Sequence, residues 1–493
     1  MKKLLLFILL TPLILFSQTQ IGQDINGENA DDRSGQGVSI SADGTVVAIG
    51  AYMNNGNGNQ SGHVRIFENI GGVWTQVGGD IDGEAAEDTS GTAISLSANG
   101  KIIAIGAPRN DGNGPTSGHV RVYENIGGVW TQIGQDIDGE SAGDNSGLYL
   151  SMSDSGNIVA IGAYFNDGDN STDMKNGQVR IFENIDNTWI QIGNDIDGMG
   201  GDRFGQAVSL SADGKIFAAS TPFGGSLSTG GFLYSAIKVY ENVGGNWAQI
   251  GSNIESDQAG DGSRVTALSA DGKIIAIGAP SYHAGSLAEA GRVRIFEIID
   301  GVWTQLGSDI NGDNAGDGAG FGLDISSDGT IVAVGAINNN VVNLGAGQVK
   351  VFKFTAGDWA QIGTDIYGET PSDGSCILSL SKDGSTLAIG APENDGNGKK
   401  SGHVRVFDLS TILSVNSYVS SNLNLFPNPS RNEVRINLGS NLELHQATIY
   451  SILGQKIKTV TQTVIDISEV PNGIYLVDII TNKGKAVKKL VKK

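Results

Sequence analysis

Short stretches of alternating apolar and polar residues recur along the first four-fifths of the chain. Each stretch is four to nine residues long, is rich in Val, Ile and Thr, and is bounded by Gly, Asn or Asp. This is the pattern of β-strands that end in tight turns. The sequence contains no segment of ten or more residues with helical spacing and caps, so we expect an all-β fold.

The strands are grouped in a unit that occurs seven times. Its marker is a turn of the form Ser-Ala-Asp-Gly, and the final glycines of successive turns lie 55 to 58 residues apart. A fixed period of this size is typical of a propeller or a solenoid. Four strands in each unit predict a seven-bladed β-propeller over residues 18–411. The marker glycines are Gly44, Gly100, Gly156, Gly214, Gly272, Gly329 and Gly384.

The ends of the repeat region predict that the ring is closed. The last strand of a unit begins with tryptophan in the phrase Trp-Thr-Gln-Ile-Gly, but the seventh unit stops after Val404–Asp408 without it. A matching phrase, without the tryptophan, occurs at residues 19–25. We therefore expect residues 19–25 to pair beside Val404–Asp408. A linear solenoid would instead need polar caps on its end units.

The two ends of the sequence differ from the repeats. Met1-Lys2-Lys3 and the apolar run Leu4–Phe16 predict a signal peptide over residues 1–17, cleaved before Gln18, with no membrane anchor left afterwards. Residues 412–493 carry ten Lys or Arg against five Asp or Glu, although the whole chain has a net charge of −21. This change of sign predicts a separate module. We place a linker at 412–424 and a small β-sandwich at 425–493.

The C-terminal module resembles a known family. Leu425-Phe-Pro-Asn-Pro-Ser430, Ile452-Leu-Gly-Gln455 and Pro471-Asn-Gly-Ile-Tyr-Leu476 are similar to motifs of the type A C-terminal sorting domain of the type IX secretion system. The resemblance implies Sec export, the type IX machinery as partner, and a location outside or on the outer membrane of a Gram-negative bacterium. The residues that match the sorting signal are Pro427, Asn428, Pro429, Gly454, Pro471, Gly473 and Tyr475.

The repeat unit resembles the FG-GAP repeat of integrin α-chain propellers. Gly106-Ala107-Pro108 is one of three matches to its second half, and Phe204-Gly205 is the only match in register to its first half. That family implies a calcium loop of the form Asp-x-Asp-x-Asp-Gly between the halves. Here the position holds a tight turn with one acid, such as Ser211-Ala-Asp-Gly214. Calcium takes six to eight oxygens, so we do not expect calcium at these turns.

The excess acid lies in the connections between units. Two interpretations stay open: the carboxylates satisfy the amides of their own turns, or they form calcium sites on one face of the propeller. The candidate calcium ligands are Asp82, Glu84, Asp88, Asp138, Glu140 and Asp144. No other cofactor is indicated.

Three further sets of residues repeat at fixed positions. His63, His119 and His403 share one position, but adjacent blades hold them a blade-width apart, too far for one shared zinc ion. A basic residue near the start of each third strand predicts pairing between blades. The tryptophans, in strict register, predict packing rather than sugar stacking. The basic residues are Arg65, Arg121, Arg180, Lys238, Arg294, Lys350 and Arg405.

Composition limits the function. A strongly acidic chain is a poor partner for nucleic acid, and the single cysteine, Cys376, cannot form an internal disulfide and has no evident histidine partner. The sequence lacks both a serine nucleophile elbow and a sialidase-type turn. We expect a secreted or surface-held propeller, not an enzyme, that binds or adheres to a glycan, protein or mineral. The alternatives are a carbohydrate-active enzyme that uses carboxylates on the acidic face, and a purely architectural protein.

Overall fold

The structure is a computed structural model that describes residues 18–167, 175–222, 234–413, 422–439, 442–451, 456–482 and 484–493. The predicted signal peptide lies outside the described residues. The chain divides into two compact units, one built from Thr19–Gln361 and Asp365–Leu409 and the other mainly from Ser410–Lys493. Each unit is described separately below.

The described residues of the first unit form seven antiparallel sheets, here called blades one to seven. In blades one to six, three strands and an outer strand follow one another in the sequence, and in all but blade six a short additional strand pairs with the third. Two short strands, β1 (Thr19–Gln20) and β2 (Ile25–Asn26), precede them.

Blade one contains β3 (Gly37–Ile40), β4 (Val46–Ala51), β5 (His63–Ile70), β6 (Val73–Gln76) and β7 (Ile81–Asp82). Blade two contains β8 (Ala93–Leu96), β9 (Ile102–Ala107), β10 (His119–Ile126), β11 (Val129–Gln132) and β12 (Ile137–Asp138). Blade three contains β13 (Tyr149–Met152), β14 (Ile158–Ala163), β15 (Gln178–Ile185), β16 (Thr188–Gln191) and β17 (Ile196–Asp197). Blade four contains β18 (Val208–Leu210), β19 (Ile216–Thr221), β20 (Ala236–Val243), β21 (Asn246–Gln249) and β22 (Ile254–Glu255).

Blade five contains β23 (Val265–Leu268), β24 (Ile274–Ala279), β25 (Arg292–Ile299), β26 (Val302–Gln305) and β27 (Ile310–Asn311). Blade six contains β28 (Ala319–Ile325), β29 (Ile331–Ala336), β30 (Gln348–Thr355) and β31 (Asp358–Tyr367). Blade seven contains β32 (Ile377–Leu380), β33 (Thr386–Ala391) and β34 (His403–Asp408), together with β1 and β2.

The innermost strands form a closed circle. Each one contacts the innermost strand of the next blade, and β32 of blade seven contacts β3 of blade one. Among the described residues the helical element is a single turn, α1 (Ser410–Leu413). The prediction of an all-β propeller with a small C-terminal β-domain is therefore confirmed.

The N-terminal strands complete the last blade. Thr19 pairs with Asp408, and Ile25 pairs with Val404, both antiparallel to β34. Ile25 is buried in a core cluster that also contains Ile40 of blade one and Val404 of blade seven. The predicted pairing of residues 19–25 beside Val404–Asp408 is confirmed, and the same segment joins the cores of the first and last blades.

A ring of side-chain hydrogen bonds links the innermost strands. The hydroxyl of Ser39 accepts a hydrogen bond from the N–H of Leu96 in the next blade, and that of Ser95 accepts one from Met152. The same contact recurs from Ser151, Ser209 and Ser379.

Blade five carries Ala267 at the serine position, so it has no hydroxyl to offer blade six. The buried Asp324 of blade six compensates, because its carboxylate accepts hydrogen bonds from the N–H groups of both Ile325 and Leu380. One carboxylate thus replaces two hydroxyls.

In every blade except blade four, which has Ser220 there, the second strand carries a glycine because the next blade lies against it. A Cβ at Gly106 would lie 2.0 Å from the carbonyl oxygen of Gly147, and one at Gly50 would lie 2.0 Å from that of Gly91. The Gly-Ala pair of the repeat therefore has a packing function between blades.

The basic and tryptophan positions also join neighbouring blades. Arg121 donates a hydrogen bond to the carbonyl of Asp82 and forms an ion pair with Glu84 at 3.4 Å, both on the connection from blade one. The indole N–H of Trp130 donates to the carbonyl of Val77 at 2.8 Å. These contacts agree with the predicted roles in pairing and packing between blades.

The C-terminal unit contains two sheets. One consists of β35 (Leu423–Phe426), β36 (Glu433–Leu438) and β39 (Val464–Asp466). The other consists of β37 (Leu444–Ser451), β38 (Lys456–Val460), β40 (Gly473–Thr481) and β41 (Gly484–Lys492). Their inner faces share one apolar core, in which Val434, Ile449 and Val477 are fully buried. In the described part of the chain, no helix has the length and apolar character needed to cross a membrane.

Candidate functional site

The connections between blades and the loops between second and third strands share one face of the propeller, here called the loop-rich face. The two kinds of segment contact each other: the side-chain amide of Asn57 donates to the carbonyls of Gly83 and Glu84 on the following connection. All six predicted calcium ligands belong to these connections, so the structure shows how each carboxylate is used.

Two of the six candidates stabilise their own turns. Asp88 accepts hydrogen bonds from the N–H of Ala85 at 3.0 Å and from the amide of Asn110 at 3.2 Å. Asp144 makes the equivalent contacts with Ser141 and Asn166. Both carboxylates are buried. Their contacts agree with the interpretation that the acidic residues satisfy the amides of their own turns.

The glutamates have partners in the next blade. Glu84 lies 3.4 Å from the guanidinium of Arg121, and Glu140 lies 3.7 Å from that of Arg180. Glu140 also accepts a hydrogen bond from Gln178 at 2.9 Å. Burial raises the pKa of Glu84, and neighbouring carboxylates raise it further while Arg121 opposes the shift.

Asp82 and Asp138 each lie opposite a histidine across the short additional strands β7 and β12. Asp82 pairs with His63, and Asp138 with His119. Burial raises the pKa of Asp138, and the carboxylate of Asp136 adds to this. The structure thus distributes the six candidates over turn capping, ion pairs and the ends of β7 and β12, and calcium binding at them remains a prediction.

The histidines that the sequence analysis set aside have partners of their own. No cluster among the described residues contains two of them, but each lies with two carboxylates. The clusters are Glu28, His63 and Asp80; Glu84, His119 and Asp136; and Asp24, Glu369 and His403. Burial lowers the pKa of His119 to about 4, and it lowers the pKa of His63 and His403 as well, so these rings are neutral at pH 7.

A second site lies on the propeller axis. Residues at or near the starts of all seven innermost strands line a cavity of about 470 Å³. Its wall includes one position that differs from blade to blade, directly after the glycine or serine that begins each innermost segment. In blades one to six this position holds Gln36, Thr92, Leu148, Gln206, Arg264 and Phe321.

The chemistry of this cavity is mixed. The guanidinium of Arg264 lies 5.5 Å from the ring centroid of Phe321, a cation–π arrangement. Within the part of the chain that the structure describes, it has no carboxylate partner. Tyr149 packs edge-on against Tyr164 with centroids 5.8 Å apart, and burial raises the pKa of its phenol, which stays protonated. The cavity therefore offers a cation, a phenol, amides and an aromatic face.

The carboxylates needed by a glycosidase lie elsewhere. None of the described residues that line the axial cavity is Asp or Glu. Cys376, which occupies the variable position in blade seven, is fully buried, and burial raises the pKa of its thiol.

The sorting-signal residues hold the ends of the C-terminal unit together. Asn428 donates to the carbonyl of Lys489 at 2.7 Å and accepts from the N–H of Val491 at 2.9 Å. The hydroxyl of Tyr475 donates to the carbonyl of Pro471 at 2.8 Å. Pro427 and Pro429 flank Asn428, Gly473 begins β40, and Gly454 lies outside the described residues.

Comparison with known proteins identifies the C-terminal unit. Residues 424–493 match the family described as the secretion system C-terminal sorting domain. The predicted sorting domain is thus confirmed, and a domain of this family marks its carrier for export. A comparison with curated sequences finds no match.

The solved structures that resemble this chain have low sequence identity to it. They include a putative 6-phosphogluconolactonase from Bacteroides uniformis, 15% identical, covering 69% of this chain and 87% of its own, with a TM-score of 0.46. Hydrazine synthase from Kuenenia stuttgartiensis is 16% identical, with coverages of 75% and 94% and a TM-score of 0.46. The periplasmic gluconolactonase PpgL of Pseudomonas aeruginosa is 14% identical, with coverages of 87% and 95% and a TM-score of 0.46. Likeness at this level gives no information on activity.

Proposed function

We propose that this protein is an exported binding protein whose propeller holds a small extracellular ligand at the axial cavity. The observation that carries the proposal is the variable position around the axis. Elsewhere most of the blades repeat the same glycines, serines and tryptophans, whereas at this position they present a cation, amides, a hydroxyl and apolar side chains. A binding site needs such asymmetry, and a purely structural ring does not.

The cavity favours a ligand with one anionic group and an apolar or hydroxyl-bearing body. Arg264 supplies a positive charge without a carboxylate partner among the described residues, and Phe321 and Tyr149 supply flat apolar surface. The net charge of the chain is −21, which repels long polyanions. A sugar unit with a single carboxylate fits both conditions, and protein or mineral ligands fit the cavity less well.

The C-terminal domain supports a location of this binding function outside the cell or on its surface. We propose that the type IX machinery recognises residues 425–493, removes them, and leaves the propeller secreted or held at the outer-membrane surface. The FG-GAP resemblance is compatible with binding outside the cell, and adhesion through the same face would follow if the ligand is part of a surface.

Binding to a glycan array that contains neutral and carboxylated oligosaccharides tests the proposal. We expect the wild-type protein to retain carboxylated sugars, and Arg264→Gln to weaken this binding at least ~10-fold, as loss of one charge-assisted contact predicts. Arg109→Gln is the matched control, because Arg109 is an exposed residue of the loop-rich face that does not line the cavity. Equal binding by the two variants would remove the axial cavity from the proposal.

The alternative function, a carbohydrate-active enzyme, is tested with the same ligands. An enzyme that uses carboxylates on the acidic face would convert the retained sugar, which mass spectrometry of the eluted material detects. We expect the eluted ligand to be unchanged, because the carboxylates of Asp88, Asp144, Glu84 and Glu140 are held by hydrogen bonds and ion pairs.

A further inference from the structure

Three blades carry the same group of potential metal ligands. In blades one, two and seven the first residue of the third strand is histidine, and it faces an aspartate of its own blade's outer edge and a glutamate from the connection that precedes the blade. In each group the imidazole nitrogen and the two carboxylate oxygens all lie within 4.8 Å of one another. The arrangement is thus a recurrent feature of the repeat.

The distances within these groups do not correspond to hydrogen bonds. Nδ1 of His119 lies 3.9 Å from Glu84 and 3.8 Å from Asp136, and Nδ1 of His63 lies 3.7 Å from Asp80. Hydrogen bonds between nitrogen and oxygen are about 2.7–3.2 Å long. Zinc lies about 2.0–2.2 Å from nitrogen and oxygen ligands, so an ion placed between two of them spans up to about 4.2 Å.

The imidazoles are otherwise without partners. The side chains of His63, His119 and His403 are each only 1–2% exposed. In the described part of the chain, their Nε2 atoms have no hydrogen-bond partner. Each ring is therefore buried with Nδ1 toward the carboxylates of its group and with Nε2 unpaired.

Blade five shows what the same carboxylates do when a cation is built into the chain. Its third strand begins with Arg292, whose guanidinium donates to Asp257 and Asp309, the equivalents of Glu28 and Asp80 in blade one. The contact distances are 3.1 and 3.2 Å. A positive charge thus occupies the position between the two acids.

In the remaining blades the position of the histidine is also occupied in a way that matches the acids present. In blades three and six the histidine is replaced by Gln178 and Gln348, each of which donates a hydrogen bond of 2.9 Å to one of the acids. Blade four has none of the three ligand types: the equivalent residues are Ala236, Met199 and Asn253. Only in the blades with histidine do the two acids face an imidazole, and there each glutamate also lies 3.4–3.5 Å from an arginine of the same third strand.

Blade one offers an additional oxygen. Glu28, His63 and Asp80 line a cavity of about 310 Å³ together with Asp32 and Asp82. Asp32 is 1% exposed, and its Oδ1 atom is buried without a hydrogen-bond partner among the described residues. Leaving a buried carboxylate oxygen unpaired is costly, and a bound cation would satisfy it.

We infer that His63, His119 and His403 each bind one divalent transition-metal ion together with the two carboxylates of their groups. Imidazole with carboxylates is a ligand set suited to zinc and similar ions, whereas calcium prefers oxygen alone. The sites differ from the predicted calcium ligands, with which they share only Glu84. They are separate from the axial cavity, and the inference does not depend on the proposed function.

The position of the sites gives them a structural consequence. Asp24 and Glu28 flank β2, the N-terminal strand that completes blade seven, and they belong to the groups of blades seven and one. Metal ions there would fasten this segment to both blades. Metal binding should therefore stabilise the closed ring, since a ligand that binds only the folded state raises its stability.

Zinc binding to the purified full chain tests the inference. We expect three zinc ions per chain by elemental analysis after dialysis, and two in each of His63→Gln, His119→Gln and His403→Gln. Glutamine occurs at this position in blades three and six, so these substitutions suit the fold. His283→Gln is the matched control, because His283 is an exposed propeller histidine outside the three groups, and it should keep all three ions.

Thermal unfolding provides the second measurement. Wild-type protein should melt at a higher temperature with zinc than with EDTA, and the triple His→Gln variant should melt at the same temperature in both. This comparison also shows whether the variant is folded. The absence of bound zinc in the wild-type protein, binding of calcium alone, or zinc binding that the three substitutions leave unchanged would each overturn the inference.

Discussion

Thr19 and Asp408 face each other in an antiparallel strand pair, so the N-terminal strand β1 and the last propeller strand β34 lie side by side. The pairing continues to Ile25 and Val404, and Ile25 is buried in the core that blades one and seven share. The seven residues from Thr19 to Ile25 therefore join the last blade to the first.

Ile25→Ala should strongly destabilise the propeller. Ile25 is 4% exposed, and removing a buried isoleucine side chain to alanine typically costs about 2–5 kcal/mol of unfolding free energy. Urea unfolding followed by tryptophan fluorescence measures this cost. Val73→Ala is the control, because Val73 is 53% exposed, and it should change the unfolding free energy by less than ~0.5 kcal/mol. Similar effects of the two substitutions would contradict the role of Ile25.

Gly106→Ala should destabilise the contact between blades two and three. The added Cβ would lie 2.0 Å from the carbonyl oxygen of Gly147, which is backbone and cannot move aside easily. Overpacking of this kind costs about 1–3 kcal/mol or more. Gly79→Ala is the control, because a Cβ there meets no atom within 4 Å. Thermal unfolding should show a lower melting temperature for Gly106→Ala alone.

Asp324→Ser should be destabilising by itself and much less so together with Ala267→Ser. The single change leaves the N–H of Ile325 unpaired, at a cost of about 1–3 kcal/mol, and the second hydroxyl restores the contact found between the other blades. A double-mutant cycle in urea measures the coupling between the two positions. Additive effects would show that Ala267 and Asp324 do not compensate each other.

The double variant also serves as the reference for a prediction of how stability depends on pH. Burial raises the pKa of Asp324 above its ordinary value of 3.8, although the hydrogen bonds from Leu380 and Ile325 partly oppose this. A carboxyl group whose pKa is raised by folding stabilises the protein most below 3.8 and loses this contribution as the pH rises through its folded pKa. Relative to the Ala267→Ser, Asp324→Ser double variant, wild-type stability should therefore fall as the pH rises above 3.8, until it passes the folded pKa of Asp324. An unchanged difference over this range would contradict the shift.

Asn428→Ala should loosen the last strand of the sorting domain. The side chain bridges the backbone of Lys489 and Val491, and each hydrogen bond contributes about 0.5–1.5 kcal/mol. Amide hydrogen exchange in Gly484–Lys492 should become at least ~5-fold faster. Asn424→Ala, at an exposed position of β35, should leave the exchange unchanged. If sorting requires this strand, less Asn428→Ala protein should reach the outside of the cell.

The fold was predictable because the same strand and turn pattern occurs in seven units of the sequence. The glycine of each turn, the tryptophan of each outer strand and the displaced phrase at residues 19–25 recur at nearly constant spacing, and the structure confirms the closure that they predict. The role of Asp324 could not be predicted from the sequence in this way. Asp324 stands where most of the other blades have serine, and it supplies the hydrogen bond that Ala267 of the preceding blade cannot. Only the three-dimensional arrangement shows that these two positions are neighbours.

The histidine groups were missed for a related reason. The sequence analysis compared His63 with His119 and His403, which do lie in different blades, and not with acids of other repeat positions. Glu28 and Asp80 are distant from His63 in sequence, on either side of it. A comparison of all seven units at these three positions contains the signal, because blade four lacks all three residues and blade five replaces histidine by arginine. The axial position of Arg264 likewise becomes meaningful only when seven strands are placed around one axis.

The N-terminal strands β1 and β2 also make blade seven depend on both ends of the propeller. Their partner β34 follows six blades in the sequence, so blade seven is complete only when both ends of the propeller are present. Removal of residues 19–26 would leave β34 without its outer partners, and truncation before β34 would leave β1 and β2 without theirs. Trimming at either end of the propeller would therefore damage the same blade.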